Sequence, residues 1–323
     1  MSILIKKFSL IIKIFFSVIS ILVILNYLKL NNTSLLNHKI GTVPILIAAI
    51  FPLFINPIVS NKRWQLFLKI YNVQLSLVKL IKISFKSFFL SLSLPSSLGF
   101  DAMRVLLLSK EKGITLTTNG ISVFLDRFLA LFVMLLISFF ASIALFFSKG
   151  ESYLLIVSTV LILLQTIFYY SLKSSLYLKI IDYFFANKKF FPRIHEFFLT
   201  FFNIIKQTEL TSIINFNSIL YIVSFQLSNI LCTIFIFFSL GVSVPFYIHF
   251  TLLPIIWIVT IIPISISGLG LREGAFIFFY GQYGINETDS FLASILSFVI
   301  LILFPAFIGL FILLFDRKSI EKT

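Results

Sequence analysis

Two stretches interrupt an otherwise apolar chain: Leu94-Pro-Ser-Ser-Leu-Gly-Phe-Asp-Ala-Met-Arg104 and Pro263-Ile-Ser-Ile-Ser-Gly-Leu-Gly-Leu-Arg-Glu-Gly274. Each combines helix breakers and small residues with one acidic and one basic side chain. At membrane depth, irregular backbone and ionised groups need a protein-lined or wet cavity, because lipid offers them no hydrogen-bond partner. We therefore predict that these stretches, which we name the first and second breaker, are two halves of one site.

The composition is that of a membrane protein. Of the 323 residues, 59% are hydrophobic and 12% are charged, and the mean hydropathy is +1.08. Too little polar surface is left to cover a soluble core. Apolar runs long enough to cross about 30 Å of hydrocarbon recur along the chain, which is typical of helices rather than β-barrel strands. The predicted fold class is an all-α, polytopic membrane protein.

Six apolar runs have the length of a spanning helix. They lie at about 8–28, 42–59, 121–147, 153–172, 214–240 and 291–315. The first run resembles a secretion signal, but no small-residue cleavage site follows it, so we expect an uncleaved span. Two basic amphipathic segments, about 62–86 and 173–209, are predicted to lie at the cytoplasmic membrane interface.

Each breaker is predicted to form the tip of a re-entrant helical hairpin. The apolar arm 87–94 would rise only about 12 Å as a helix, too little to cross the bilayer alone. With two hairpins, 20 Lys and Arg residues fall on the side of the chain termini and three on the other. Because cytoplasmic loops collect basic residues, we predict cytoplasmic termini and a location in the cell membrane. The same rule accounts for the net charge of +14 without a nucleic-acid partner.

The order of elements repeats along the chain. Residues 1–148 read as span, span, hairpin and span, and residues 149–323 read the same way. Three spans in each half place the second half upside down in the membrane. This inverted repeat is the plan of many transporters, whose sites lie near the midplane at broken helices. We predict a single transmembrane domain built on this plan.

Candidate binding residues cluster at the breakers and at the start of the third span. Each hairpin tip offers unpaired backbone N–H groups and one arginine, Arg104 or Arg272, which suit a lipid phosphate or a carboxylate. The predicted substrate-binding residues are Pro95, Gly99, Asp101, Arg104, Asp126, Arg127, Pro263, Gly268, Gly270, Arg272 and Glu273. The alternative is that these charges only pair to fix hairpin geometry, with Arg127 anchoring its span at the interface.

Catalytic and metal-binding patterns are not found in the sequence. His38, His195 and His249 are far apart and have no metal-ligand spacing. The lone Cys232 excludes an intramolecular disulfide. No nucleophile motif and no Walker-type phosphate loop is present. We predict no catalytic residue, no metal and no cofactor.

At the same residues the sequence resembles the flippase-like membrane region of the lysylphosphatidylglycerol synthase family. The matching residues are Leu94-Pro95, Gly99, Asp101-Ala102, Arg104, Asp126-Arg127, Pro263, Ser265, Gly268, Gly270 and Arg272-Glu273-Gly274. Phe100 departs from the pattern by replacing a glycine, and Ser96 and Ser97 replace small glycine positions. Because the 323 residues contain no stretch that resembles the aminoacyl-transferring domain of two-part members, we expect a protein without that domain. The resemblance therefore implies handling of a lipid or a lipid-linked substrate without lysyl transfer.

The sequence is compatible with three functions. The leading hypothesis is a passive flippase or related transporter for phospholipids or lipid-linked envelope precursors. The second is a membrane-embedded transferase, or an accessory subunit of a lipid-modifying or glycan-synthesis enzyme. The third is a scaffold of the envelope. The predicted partners are a membrane lipid or lipid-linked substrate and enzymes of these two kinds.

Overall fold

The computed structural model describes residues 40–92, 94, 98–111, 113–174, 192–208, 215–262, 265 and 267–320, and the regular elements in these ranges are helices. They are α1 (Thr42–Ile50), α2 (Asn56–Ile70), α3 (Leu77–Ser91), α4 (Gly99–Leu108), α5 (Leu116–Lys149), α6 (Tyr153–Lys173), α7 (Pro192–Gln207), α8 (Phe216–Ser239), α9 (Phe246–Ile261), α10 (Leu271–Gly281), α11 (Glu287–Phe298) and α12 (Phe304–Ile320). Two π-helical turns, Phe51–Ile55 and Val299–Leu303, join α1 to α2 and α11 to α12.

Five helices in the described ranges are long and apolar enough to cross a membrane. They are Thr42–Ile70, Leu116–Lys149, Tyr153–Lys173, Phe216–Ser239 and Glu287–Asp316. Each contains one of the spans predicted from the sequence or coincides with it to within a few residues. The predicted span at 8–28 lies outside the described residues. The all-α, polytopic membrane class is confirmed.

The segment 62–86 does not form the single interfacial helix that its pattern predicts. Its first part continues the membrane span to Ile70, and the chain then turns at Asn72, whose φ is 59°. A new helix, α3, begins after Ser76, whose hydroxyl accepts a hydrogen bond from the Lys79 N–H. Asparagine tolerates a left-handed conformation, so it ends one helix where the amphipathic pattern alone shows no boundary. Of the segment 173–209, α7 is helical and residues 175–191 lie outside the description.

The first breaker separates two antiparallel helices, α3 and α4. Near the break, the rings of Phe88 and Phe100 lie 4.3 Å apart between centroids. At the other end of the pair, the Lys79 ammonium contacts the Glu111 carboxylate at 2.7 Å. The first arm is thus α3, which starts ten residues before the predicted arm 87–94.

The second breaker separates α9 and α10, which also pair in opposite directions. Far from the break, His249 Nδ1 lies 2.8 Å from the Tyr280 hydroxyl. At the break, Gly268 packs against the side chain of Thr260. The longest helix of the two pairs, α9, has 16 residues and rises about 24 Å, less than a membrane core of about 30 Å. Both helix pairs therefore have the dimensions expected of re-entrant hairpins.

Each hairpin packs against the last helix of the other half of the chain. Helix α3 packs along α12, the last helix of the second half, and α9 packs along α5, the last helix of the first half. The α5–α9 contact includes a 2.8 Å hydrogen bond from the Ser138 hydroxyl to the Thr251 carbonyl oxygen. Helices α1 and α2 pack against α8, their counterpart in the second half. Reciprocal packing of this kind is what an inverted repeat predicts.

Helices α3 and α12 touch through their backbones at Gly309. A Cβ added there would overlap the carbonyl oxygen of Phe85 and lie 2.5 Å from its carbonyl carbon. Lys86 and Asp316 form an ion pair between the same two helices. Small residues at helix contacts in membranes allow such close approach. The position of the first hairpin therefore depends on the absence of a side chain at Gly309.

We predict that Gly309→Ala destabilises the protein, because the new methyl group forces α12 away from α3. The expected loss in free energy of unfolding is at least the roughly 1–3 kcal/mol typical of overpacking. Thermal unfolding in detergent measures it as a lower midpoint. The matched control is Gly281→Ala, also in a helix, where an added Cβ meets nothing within 4 Å. Equal midpoints for the two variants would contradict the packing argument.

Candidate functional site

Three helices bring five charged side chains together in an ionic cluster, in which four residues are buried and the Arg127 side chain is 41% exposed. Arg63 from α2 donates to Asp126 on α5 through Nε and, at 3.1 Å, through Nη2. Arg104 from α4 lies between the two carboxylates, with Nη1 3.4 Å from Asp126 Oδ2 and 3.6 Å from Asp101 Oδ1. The Nε of Arg127 donates to Asp101 Oδ2. We call these five residues the ionic cluster.

The ionic cluster carries an excess positive charge. Three guanidinium groups face two carboxylates, which gives a formal charge of +1. Asp126 is 0% exposed, and Arg63 and Arg104 are each 3% exposed. Among the described residues, Arg63 Nη1 and Arg104 Nε and Nη2 have no hydrogen-bond partner. Buried donors are normally satisfied, so these N–H groups can bind an acceptor that is not among the described residues.

Aromatic rings fix the plane of the Arg104 guanidinium. Its central carbon lies 3.9 Å from the centroid of the Trp64 ring and 5.4 Å from that of Phe100. The Trp64 indole N–H donates to the Ser122 hydroxyl at 3.2 Å, which holds the ring in turn. Cation–π contact of this kind orients a guanidinium without using its hydrogen-bond donors. The free donors of Arg104 thus keep a defined direction.

The first breaker sets where the charges of α4 lie. Gly99 is the first residue of α4, and a Cβ there would come within 2.7 Å of the Leu94 Cβ, so only glycine allows the tight return of the chain. Asp101 follows in the first turn, where the helix dipole favours a negative charge. Arg104 stands three residues later on the same face. The hairpin tip therefore directs both side chains towards α5.

A cavity of about 270 Å³ lies between the two breakers. Its lining includes Ser91, Phe100 and Arg104 from the first hairpin and Thr260, Ile261 and Ser267 from the second. Arg63 and Arg127 line it as well, whereas Asp101 and Asp126 are not among the described lining residues. The carboxylates thus lie behind the arginines, and the cavity meets guanidinium groups.

Both π-helical turns border the cavity. Pro52 from the turn Phe51–Ile55 and Leu301 from the turn Val299–Leu303 belong to its lining. Turns of this type are often found at functional sites, because the wider turn re-aims the side chains around it. The cavity thus lies where the helices as well as the hairpins depart from regular geometry.

The structure brings together Asp101, Arg104, Asp126 and Arg127 among the predicted residues, and Gly99 supports them. The other arginine, Arg272, is not among the described residues that line the cavity. The second breaker contributes its tip to the cavity instead, through Ser267. Pro95 and Pro263 lie outside the described residues.

A separate buried pair forms at the start of α10. Arg272 Nη2 contacts Glu273 Oε1 at 2.6 Å, and Arg272 Nε donates to the Ser294 hydroxyl at 3.2 Å. The second Glu273 oxygen accepts a hydrogen bond from the Gly270 N–H and so caps the helix. Gly268 and Gly270 have φ of +77° and +85°, which side chains with a Cβ rarely adopt. In this pair, the described contacts of both charged side chains are with the hairpin tip and with Ser294.

Sequence reasoning missed Arg63. Its basic, aromatic neighbourhood indicated an interfacial helix, whereas α2 continues the span and carries Arg63 into the protein interior. The amides of Asn56, Gln226 and Asn229 were also missed, although each stands inside an apolar run and lines the cavity. Isolated polar residues in predicted spans usually face the bundle interior, and that signal was available in the sequence.

Fold and site together define a class: a polytopic α-helical membrane protein in which two broken-helix hairpins enclose a cavity lined by buried arginines. Residues 10–309 match the family model described as the lysylphosphatidylglycerol synthase TM region. The chain therefore belongs to this family, which relates it to lipid modification or transport, and the resemblance in the breaker motifs is confirmed. No curated protein and no solved structure matched the chain.

We predict that Asp126→Asn strongly destabilises the protein, because Arg63 and Arg104 then lose their shared counter-charge. Removing one partner of a buried ion pair typically costs about 3–5 kcal/mol, and the free energy of unfolding in detergent measures this loss. The control is Lys79→Gln, which breaks an ion pair with Glu111 whose side chains are 42% and 38% exposed. Exposed pairs contribute about 0–1 kcal/mol. A similar small loss in both variants would contradict a stabilising role for the ionic cluster.

Proposed function

We propose that this protein is a passive flippase or related transporter that moves phospholipids or lipid-linked envelope precursors between membrane leaflets. The head group enters the central cavity while the acyl chains stay in the bilayer. The observation that carries the proposal is the excess positive charge of the ionic cluster, with unpaired guanidinium N–H groups on a cavity between two hairpins. Membership of a lipid-related family supports it.

The ionic cluster suits one phosphodiester. Arg63 Nη1 and Arg104 Nε and Nη2 are free donors on two neighbouring guanidinium groups. Guanidinium groups bind phosphate oxygens through paired hydrogen bonds, which are stronger than bonds between neutral groups. A phosphodiester carries one negative charge and would bring the cluster from +1 to neutrality. A lipid phosphate bound there would therefore leave the five-residue cluster without a net formal charge.

The size of the cavity fits a head group and not a whole lipid. Its volume of about 270 Å³ falls just below the roughly 300–1,000 Å³ of pockets for drug-sized ligands. Apolar side chains such as Leu131, Met134 and Leu301 share the lining with the arginines. These suit the first carbons of the lipid chains. The long chains have no room inside and must stay among the membrane lipids.

The proposed location is the cell membrane, with both termini cytoplasmic. The support is the bias in basic residues between the two sides, which is 18 to three when the interior residues Arg63 and Arg104 are left out and which the positive-inside rule explains. The proposed partner is a membrane lipid or lipid-linked substrate. An enzyme of lipid modification or glycan synthesis that makes or consumes it is the expected functional neighbour.

Leaflet exchange in liposomes tests the proposal. Purified protein is reconstituted with phospholipids that carry a fluorophore on an acyl chain, and dithionite then bleaches only the label that reaches the outer leaflet. We expect nearly all the label to become accessible. A panel of phospholipids and lipid-linked sugars that shows no exchange above protein-free liposomes would overturn the proposal.

We predict that Arg104→Lys slows exchange about tenfold, because lysine keeps the charge beside Asp126 but loses the fork that binds phosphate. Thermal unfolding of the same variant separates this effect from misfolding. Lys79→Gln is the control, since Lys79 pairs at the base of the hairpin and is not among the described residues that line the cavity. Exchange that is equally fast in Arg104→Lys and Lys79→Gln would remove Arg104 from the proposed site.

A further inference from the structure

We propose that the cavity selects anionic head groups whose phosphodiester carries an uncharged, hydroxyl-bearing group, such as a polyol or a sugar, and disfavours head groups with an ammonium. The inference rests on the proposed function and names its substrate class. Three sets of observations carry it: the charge of the lining, the unpaired amide oxygen of Asn56 and the spacing of Asn56 and Arg63 along α2.

The lining offers no counter-charge to a cation. Three arginines, Arg63, Arg104 and Arg127, contribute to it, and its described residues include no Asp or Glu. The breaker sequences 93–98 and 262–267 also contain no acidic residue. An ammonium in this cavity would thus be desolvated next to guanidinium groups, an arrangement that like-charge repulsion strongly disfavours. A head group with a neutral extension meets no such repulsion.

Neutral amides form another part of the lining. Asn56 Nδ2 donates to Asn229 Oδ1 at 2.9 Å, so these two side chains join α2 to α8. Asn56 is 9% exposed, and its Oδ1 has no hydrogen-bond partner among the described residues. An amide oxygen accepts hydrogen bonds from hydroxyl groups without any charge of its own. The unpaired Asn56 oxygen is therefore a place for a hydroxyl of the substrate.

The spacing on α2 relates the amide to the arginines. Asn56 and Arg63 stand seven residues apart, about two helical turns, so both lie on the same face about 10 Å apart along the axis. Long helical side chains lean towards the N-terminus, which brings the Arg63 guanidinium closer to Asn56. A phosphate bound by Arg63 and Arg104 would direct its hydroxyl-bearing group along α2 towards Asn56.

The exchange rates of lipids with different head groups test the selectivity. Acyl-labelled phosphatidylglycerol, phosphatidylethanolamine and lysylphosphatidylglycerol are compared in otherwise identical vesicles. We expect phosphatidylglycerol to exchange fastest, since it alone has a polyol and no ammonium. Equal rates above that of protein-free vesicles, or a faster rate for either ammonium-bearing lipid, would overturn the inference and leave the flippase proposal intact.

Asn229→Asp adds a carboxylate to the lining with almost no change in shape and keeps the acceptor for Asn56 Nδ2. We expect the ratio of phosphatidylglycerol to phosphatidylethanolamine exchange to fall about tenfold. The matched control is Gln282→Glu, the same amide-to-carboxylate change on an exposed side chain whose Oε1 accepts a hydrogen bond from the Tyr153 hydroxyl. An unchanged ratio in Asn229→Asp, or an equal fall in the control, would contradict the inference.

A binding measurement separates selectivity from transport. Short-chain phosphatidylglycerol should raise the unfolding midpoint of the wild-type protein in detergent more than short-chain phosphatidylethanolamine does. If no lipid exchanges but this difference appears, the flippase proposal fails and the head-group selectivity stands. If neither exchange nor stabilisation favours phosphatidylglycerol, the selectivity fails. Both comparisons use wild-type protein, so they decide the question even if Asn229→Asp does not fold.

Discussion

The fold depends on one carboxylate that two arginines share. Asp126 on α5 is fully buried and compensates Arg63 from α2 and Arg104 from α4. An ionised group in the interior is tolerated only with its partners in place, because desolvation without compensation costs several kcal/mol. The three helices therefore pack in one arrangement, in which the first hairpin lies beside the span that follows it. The cavity is the space this arrangement leaves.

The two halves share a plan but differ in chemistry. The first hairpin directs Arg104 to the cavity, whereas the second binds Arg272 to Glu273 and Ser294 and presents Ser267 instead. One side of the cavity is thus strongly charged, and the other is neutral and polar. For the transport proposed above, the cavity must bind its substrate firmly enough to admit it and weakly enough to release it. An uneven cavity meets both needs better than one with arginines on every side.

Much of this architecture is predictable from sequence, because the length of the apolar runs predicts the spans and the breakers predict the hairpins. The contacts among Asp101, Arg104, Asp126 and Arg127 also follow from hairpin and span being neighbours. Arg63 was not predicted, because the segment 62–86 reads as one interfacial helix. The backbone conformation of Asn72 divides this segment, and its first part, with Arg63, continues the membrane span. The direction of Arg272 depends on the distant Ser294. Tertiary contacts of this kind leave no local pattern in the sequence.

The π-helical turn Phe51–Ile55 determines the direction in which the side chains of α2 point. A π turn holds one more residue than an α turn, and each residue of a helix advances the direction of the next by about 100°. Asn56 and Arg63 both follow this turn, so the number of residues in the turn sets the direction that their side chains share. Loss of Phe54, a residue of the turn that is not among the described lining residues, would keep the lining side chains of α2 and point them elsewhere. The direction of the polar face of α2 therefore depends on the number of residues in this turn as well as on the side chains that form the face.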